Sequence, residues 1–95
     1  MPSVTRDLVV PNKLGLHARP AMLFVDTASR FTSDIKVVKG GDEPGEADGK
    51  SVMQMIILAA TEGTPLRVSA DGDDAADALT AIARLFETKF DEEQD

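Results

Sequence analysis

Several residue types are missing from this chain of 95 residues, and each absence excludes a class of function. Without cysteine, the chain has neither disulfides nor thiolate metal sites. Tryptophan and tyrosine are also absent and only four phenylalanines occur, so the stacking platforms typical of single-strand nucleic-acid binders are lacking. No apolar run approaches the ~18 residues of a membrane span. Because the N-terminus also lacks the charged-then-apolar pattern of a signal peptide, we expect a cytoplasmic protein.

The charge of the chain is acidic overall but unevenly distributed. The formal net charge of −7 argues against nucleic acid and anionic membrane as partners. The acidic residues concentrate in segments 42–48, 71–77 and 87–95, whereas segment 8–25 contains no Asp or Glu. This window holds the only histidine, His17, between Lys13 and Arg19. The histidine therefore lies in a locally positive part of the chain, which favours binding of a phosphate and of an acidic partner surface.

His17 lies where a glycine-bearing loop gives way to an apolar-periodic helix that begins at Ala18. The first-turn N–H groups of Ala18 and Arg19 have no intrahelical partners, and with the helix dipole they attract phosphate. Arg19 adds a planar guanidinium that suits phosphate oxygens. An imidazole titrates near neutral pH, so much of it is uncharged and nucleophilic there. These parts predict a histidine that accepts and passes on a phosphoryl group, although a lone histidine at a helix start is more often a capping or partly buried residue.

Hydrophobic periodicity predicts alternating strands and helices along the chain. The predicted order is a strand over 4–10, a helix from Ala18 whose apolar face ends at Phe31, a strand over 34–39, a short strand near 46–48, a helix from Ser51 to about Ala60, a strand over 66–70, and a helix capped by Asp73 or its neighbour. This βαββαβα order predicts a single α+β domain over residues 1–90. The acidic residues 91–95 are predicted to be a disordered tail.

Three other site patterns fail on spacing. Segment 45–51 resembles a phosphate-binding P-loop, but only three residues separate its glycines where four are required. Segment 71–82 resembles a calcium loop, but Ala76 and Ile82 replace the turn glycine and the closing glutamate. A serine hydrolase is disfavoured because no serine has the spacing of a nucleophile elbow. No metal site is therefore predicted.

Ser51 and the helix that follows it form the second candidate region. Serine is a preferred N-cap residue, and an apolar run follows at once. The run is too apolar for a helix with one buried face, since it contains Val52, Met53, Met55, Ile56, Ile57 and Leu58. If Met55, Leu58 and Ala59 face the sheet, Val52, Met53 and Ile56 are exposed. They then either cover a neighbouring loop or form a docking patch for a partner.

Two strings carry a resemblance to a known family. The segment Asn12-Lys13-Leu14-Gly15-Leu16-His17-Ala18-Arg19-Pro20-Ala21 resembles the phosphorylation site of the histidine-containing phosphocarrier proteins (HPr) of the bacterial phosphoenolpyruvate-dependent phosphotransferase system. Gly49-Lys50-Ser51-Val52-Met53 resembles the regulatory-serine segment of that family. The resemblance covers nearly the full length. It implies an open-faced β-sandwich, with a four-stranded antiparallel sheet covered on one face by three helices.

The resemblance also implies a role and a set of partners. His17, assisted by Arg19, would accept a phosphoryl group from enzyme I as a pros-phosphohistidine and pass it to an enzyme II A-domain, in sugar uptake or a nitrogen-related branch. HPr kinase/phosphorylase would act on Ser51. The predicted docking residues are Leu16, Val52, Met53 and Ile56. The chain is expected to be a monomeric carrier without cofactor, metal or independent enzymatic turnover.

Two features depart from the family pattern, namely the long acidic hairpin over 42–49 and the acidic tail. Two alternatives from other classes stay open. One is a regulatory binding protein that acts through Ser51 and the apolar helix without phosphoryl transfer. The other is an unrelated small α+β interaction domain, in which the match around His17 is accidental.

Overall fold

Four strands and three helices follow one another in the predicted βαββαβα order. The computed structural model describes residues 3–41 and 44–91. The elements are β1 (Ser3–Val9), α1 (Ala18–Ala28), β2 (Asp34–Lys39), β3 (Gly45–Asp48), α2 (Val52–Leu58), β4 (Pro65–Asp71), α3 (Ala75–Glu87) and a final 3₁₀ turn (Lys89–Asp91). The bounds of β2 agree with the prediction, and β1 begins and ends one residue earlier than predicted.

The strands form one antiparallel sheet in the spatial order β1-β4-β2-β3. Along β4 the side chains of Leu66, Val68 and Ala70 are buried, whereas Pro65 and Arg67 are exposed. This alternation follows from the two-residue period of a strand, which directs one set of side chains to the helices and the other to solvent. The predicted open-faced α+β sandwich is thereby confirmed.

The core lies between the sheet and the apolar faces of α1 and α3. Phe24 of α1 and Phe86 of α3 meet edge to face, with ring centroids 6.3 Å apart. Phe86 also contacts Phe90 of the 3₁₀ turn at 5.0 Å between centroids. Phe31, which the periodicity placed on the α1 face, lies beyond the end of that helix but packs half-buried against the core.

The second helix is shorter than predicted. It begins after the N-cap Ser51, as expected, but ends at Leu58 because Ala59 adopts a left-handed conformation with φ of 54°. Met55 and Leu58 are buried against the core, as the apolar pattern suggested. Ala59 is exposed rather than facing the sheet. A left-handed residue at this point terminates the helix and turns the chain toward the loop that leads to β4.

Asp74 occupies the N-cap position of α3, as expected. Its carboxylate, however, makes no capping hydrogen bond to the helix and binds the α1–β2 loop instead. Oδ2 accepts the Thr32 N–H at 2.9 Å, and Oδ1 accepts the Ser33 N–H at 3.0 Å. The hydroxyls of both residues also donate to this carboxylate. Hydrogen bonding led by the Ser33 hydroxyl lowers the pKa of Asp74 from its ordinary value to about 2. Asp74 thus joins the α1–β2 loop to the start of α3.

Part of the predicted C-terminal boundary lies outside the described residues. Asp91 closes the 3₁₀ turn, and residues 92–95 of the predicted acidic tail are not described. The domain boundary at residue 90 therefore stays a prediction. Within residues 3–41 and 44–91, no helix has the length and apolarity needed to cross a membrane.

Candidate functional site

A tight turn ahead of His17 brings the chain from β1 to the start of α1. Gly15 has φ of 70°, a conformation that L side chains rarely adopt. Its N–H donates to the carbonyl of Asn12 at 3.1 Å. The buried Asn12 side chain closes the same turn, since Nδ2 donates to the carbonyl of Gly15 at 2.8 Å. The turn is therefore held by backbone and side chain together.

Contacts with the segment after α2 fix this turn in place. The Leu16 N–H donates to the carbonyl of Ala60 at 2.9 Å. Val10 and the 63–64 turn exchange two more backbone hydrogen bonds, to Thr64 at 3.0 Å and from Gly63 at 2.9 Å. A Cβ on Gly15 would collide with the carbonyl oxygen of Ala60. Only glycine permits this close approach, so Gly15 determines where the following histidine lies.

His17 is the N-cap residue of α1, with extended backbone angles of φ −76° and ψ −169°. Its carbonyl accepts the Ala21 N–H at 3.0 Å, which begins the helix. The half-buried imidazole makes no capping hydrogen bond to the first turn. A side-chain cap, the ordinary explanation for a histidine at this position, is therefore not its role here.

The first turn of α1 contains a potential anion site. Ala18 and Arg19 are exposed, and their N–H groups have no preceding helical carbonyl to bond. Pro20 is buried at the next position, where it has no N–H to leave unsatisfied. None of the described carboxylates pairs with the exposed Arg19 guanidinium. The structure thus places His17, Arg19 and two backbone donors together, as the sequence predicted.

Leu16 was predicted to be a docking residue, but the structure buries it. Its side chain is only 2% exposed and belongs to the hydrophobic core. The reason is the hydrogen bond from its N–H to Ala60, which holds the loop against the body of the protein. Leu16 therefore anchors the loop that precedes His17, and its side chain is not accessible to a partner.

An exposed apolar surface does lie on α2. The exposed fractions are 68% for Met53, 39% for Ile56 and 71% for Ile57. Residues three and four apart on a helix are neighbours, so these three form one patch, which we call the α2 surface. Val52, which was expected to be exposed with them, is instead half-buried, because its side chain packs against the core. Ile57 was missed by the sequence analysis, although its spacing of four from Met53 places it on the same face.

Two further apolar side chains near the histidine in sequence are also exposed. Leu14 is 73% exposed in the turn before His17, and Met22 is 54% exposed on α1. Neither was predicted as a docking residue. The signal for Met22 was available, since it lies between the buried positions Ala21 and Phe24 and outside the apolar period of the helix.

Ser51 caps α2 through its hydroxyl, and the Gln54 side chain binds Asp48, three residues before the cap. The Ser51 Oγ accepts the Gln54 N–H at 3.2 Å, and the Gln54 Oε1 accepts the Asp48 N–H at 2.8 Å. Neighbouring Lys50 donates from Nζ to the carbonyl of Phe31 at 2.8 Å. The predicted N-cap role of Ser51 is confirmed.

Ser51 and the histidine loop lie at opposite ends of α2. The helix has seven residues, which corresponds to about 10 Å at 1.5 Å per residue. Its far end leads into Ala60, the residue that bonds Leu16. The α2 surface thus lies between the two candidate sites.

The fold and the site define a small α+β protein that presents a histidine at an anion-binding helix start. A family model described as "PTS HPr component phosphorylation site" matches residues 4–88. The phosphocarrier protein HPr of Xylella fastidiosa is 42% identical over 87 residues, covering 92% of this chain and 94% of that protein. The phosphocarrier protein NPr of Escherichia coli is 36% identical over 91 residues, covering 96% and 99%. A crystal structure of HPr from Thermoanaerobacter tengcongensis superposes with a TM-score of 0.82 at 42% identity, covering 99% of this chain and 100% of that one.

These similarities show that the chain belongs to the HPr family of phosphocarrier proteins of the phosphotransferase system. The resemblance found around His17 and Ser51 is confirmed at the level of the family. An unrelated interaction domain is no longer an alternative.

Proposed function

We propose that His17 receives a phosphoryl group from phospho-enzyme I on Nδ1 and passes it to an enzyme II A-domain. One observation carries the proposal. The imidazole stands at the N-cap of α1 without capping it, beside an exposed Arg19 and two first-turn N–H groups. Membership of a phosphocarrier family supports phosphoryl transfer, and this arrangement offers the groups that such a transfer would need.

Phosphoryl transfer requires mainly that the protein position the reacting groups and stabilise the charge on the phosphoryl oxygens. The imidazole nitrogen forms a new N–P bond as the bond between phosphorus and the donor breaks, and the next transfer reverses these events on the acceptor side. The N–H groups of Ala18 and Arg19 and the Arg19 guanidinium would stabilise the equatorial phosphoryl oxygens during both steps. The protein is regenerated only by passing the group on, so we propose a carrier without independent turnover.

The α2 surface is the proposed docking area for both partners. Exposed apolar side chains at Met53 and Ile56 would form the desolvated part of each contact, and Ile57 extends that area. Half-buried Val52 contributes its exposed edge. We propose that the chain works as a cytoplasmic monomer, in either the sugar or the nitrogen-related branch.

Intact mass after incubation with enzyme I and phosphoenolpyruvate tests the phosphoryl-acceptor role of His17. The wild type is expected to gain one phosphate that is labile in acid and stable in alkali. His17→Ala is expected to gain none while its circular dichroism spectrum is retained, because no capping bond is lost. Ser51→Ala is the matched control and is expected to be labelled. Labelling of His17→Ala would refute the assignment.

We further propose that Ser51 is a regulatory phosphorylation site for an HPr kinase/phosphorylase. A phosphate at this N-cap would be tolerated by the helix dipole, so the fold is expected to survive. The same charge would stand at the N-terminal end of α2, two residues before Met53 of the α2 surface, and would oppose an apolar or acidic partner that docks there. Regulation would therefore act by electrostatics at the docking area.

Ser51→Asp and Ser51→Asn form a matched pair for this test. Both residues are good N-caps, so the two variants differ mainly in charge. Phosphorylation of His17 by enzyme I is expected to slow sharply in Ser51→Asp and to stay near the wild-type rate in Ser51→Asn. Equal rates in the two variants would leave Ser51 as a helix cap only.

A further inference from the structure

The methionine sulfurs of this chain differ in their access to solvent. Among the described residues the methionines are Met22, Met53 and Met55. Met53 is 68% exposed on the α2 surface and Met22 is 54% exposed on α1, whereas Met55, two residues after Met53 on the same helix, is fully buried. The chain contains no cysteine, so methionine is its only sulfur-containing residue. A dissolved oxidant can therefore reach sulfur at Met53 and Met22 but not at Met55.

We propose that Met53 is a site of reversible oxidation to methionine sulfoxide, and that this modification turns off docking at the α2 surface. The proposal rests on the docking role proposed above and adds a modification site to it. The oxidant is a hydroperoxide, of which hydrogen peroxide is the simplest. The sulfur lone pair forms an S–O bond as the O–O bond breaks, and the departing hydroxide takes the proton of the transferred oxygen and leaves as water. The sulfur is oxidised and the peroxide is reduced.

Oxidation makes the α2 surface polar at a point where a docked partner needs it to be apolar. The thioether of Met53 is apolar, whereas a sulfoxide is polar and accepts hydrogen bonds. A partner that covers the α2 surface removes this oxygen from water, and the neighbouring side chains of Ile56 and Ile57 offer it no donor. Burial of a polar group without a hydrogen bond is unfavourable, so docking weakens. The fold is retained, because the Met53 side chain lies largely in solvent.

The ordinary explanation for Met53 is an exposed apolar residue without chemistry of its own. Isoleucine supplies a similar apolar surface without a reactive sulfur, as Ile56 and Ile57 do on the same helix. Methionine differs because its unbranched, polarisable side chain adapts to more than one partner surface. The proposed function requires two partners to dock on this one surface. Adaptability therefore explains a thioether at this position, and its exposure makes the position sensitive to oxidants.

The other two methionines provide references within the same chain. Met55 belongs to the hydrophobic core and is 0% exposed, so a hydroperoxide would reach it only in an unfolded chain. Met22 is exposed on α1, outside the α2 surface as defined above. Oxidation of Met22 therefore reports on the strength of the treatment, and oxidation of Met55 reports on loss of the fold.

The modification is reversed by an external dithiol. Two thiols and one sulfoxide give a disulfide, water and the original thioether, in a reaction that methionine sulfoxide reductases catalyse. This chain has no thiol of its own, so its recovery depends on another protein. Phosphoryl transfer through the carrier would thus slow under oxidising conditions and recover after reduction.

Treatment of the full folded chain with hydrogen peroxide, ended by catalase, tests the proposal. Tandem mass spectrometry of the peptides locates the added oxygen, which we expect on Met53 and Met22 and not on Met55. Phosphorylation by enzyme I and phosphoenolpyruvate is then measured over a range of carrier concentrations. We expect the KM for the oxidised carrier to rise at least about fivefold, with kcat and the melting temperature nearly unchanged.

Met53→Leu and Met22→Leu separate the two exposed sulfurs. Each variant is compared with itself before and after peroxide, so the effect of the substitution itself cancels. Peroxide is expected to change the KM of Met53→Leu less than about twofold and to raise that of Met22→Leu at least about fivefold, as in the wild type. Incubation of the oxidised wild type with methionine sulfoxide reductase and dithiothreitol is expected to restore the untreated KM.

Several outcomes would overturn the proposal. They are an unmodified Met53 after a treatment that oxidises Met22, an unchanged KM for the oxidised wild type, and protection by Met22→Leu in place of Met53→Leu. A lower melting temperature with oxygen on Met55 would also overturn it, because the oxidant would then act by unfolding the chain. If the untreated chain is not phosphorylated at all, the function proposed for His17 fails and the docking consequence fails with it, whereas the oxidation of Met53 is still read by mass.

Discussion

Substitution of Gly15 by alanine tests whether the histidine loop is held by its close approach to Ala60. The first cost is conformational, because φ of 70° lies in the left-handed region, where an L residue loses about 1–2 kcal/mol. The second cost is steric. The new Cβ would collide with the Ala60 carbonyl oxygen and lie 2.9 Å from Cα of Thr61, and both neighbours are backbone atoms that cannot swing aside. Forced overpacking of this kind costs about 1–3 kcal/mol.

The sum for Gly15→Ala is therefore about 2–5 kcal/mol of the free energy of unfolding. For a domain of this size, 1 kcal/mol corresponds to about 4–8 °C in melting temperature, so we expect a decrease of roughly 10 °C or more. Gly63→Ala is the matched control. Gly63 has φ of 84°, but no heavy atom lies within 4 Å of a Cβ built on it. Only the conformational cost of about 1–2 kcal/mol applies there.

Thermal unfolding followed by circular dichroism measures both variants, and enzyme I labelling at a temperature where both are folded measures the site. Gly15→Ala is expected to melt well below Gly63→Ala and to accept phosphate more slowly, because the shifted loop displaces His17. Equal melting temperatures for the two variants would refute the steric argument. A normal labelling rate in a destabilised Gly15→Ala would show that the loop does not position the histidine.

Three other substitutions test separate contacts. Arg19→Ala is expected to slow transfer by removing a charge-assisted contact worth about 1.5–3 kcal/mol, and Arg19→Lys to recover only part of the rate, since an ammonium lacks the bidentate fork. Equal transfer rates in wild type and both variants would mean that Arg19 points away from the phosphoryl group. Met53→Asp is expected to impair transfer far more than stability, because Met53 is 68% exposed, and a large decrease in its melting temperature would contradict this. Asp74→Ala is expected to lower the melting temperature at neutral pH, with Asp73→Ala as the control. Because folding lowers the pKa of Asp74 from 3.8 to about 2, its contribution is complete above pH 4 and is lost as the pH falls through about 2. The difference from wild type should therefore shrink over that range, and a difference independent of pH would contradict the role of the carboxylate.

Local patterns were sufficient to predict most of the fold. The alternation along β4, the helical spacing from Ala21 to Ala28 and the N-cap at Ser51 all depend on residues close together in sequence. The same holds for the candidate site around His17. His17, Arg19 and the first-turn N–H groups lie on consecutive residues of one helix start, so no distant contact is needed to bring them together.

The predictions that failed concern side chains whose burial or hydrogen bonding depends on a residue far away in the sequence. The exposure predicted for Leu16 was wrong because Ala60, 44 positions away, takes its N–H and draws the loop inward. The cap expected from an aspartate at α3 was replaced by hydrogen bonds from Asp74 to Thr32 and Ser33, more than 40 positions away. No local pattern encodes either pairing.

By itself, then, the sequence determined the elements, their order, the helix start that carries His17 and the family to which the chain belongs. These features follow from periodicity, capping and one contiguous motif, which act over a few residues. Only the tertiary structure decided where the turn before His17 lies and which α2 side chains remain exposed. Those outcomes depend on how the helices pack on the sheet and on each other, and such packing joins residues whose separation along the chain carries no periodic signal.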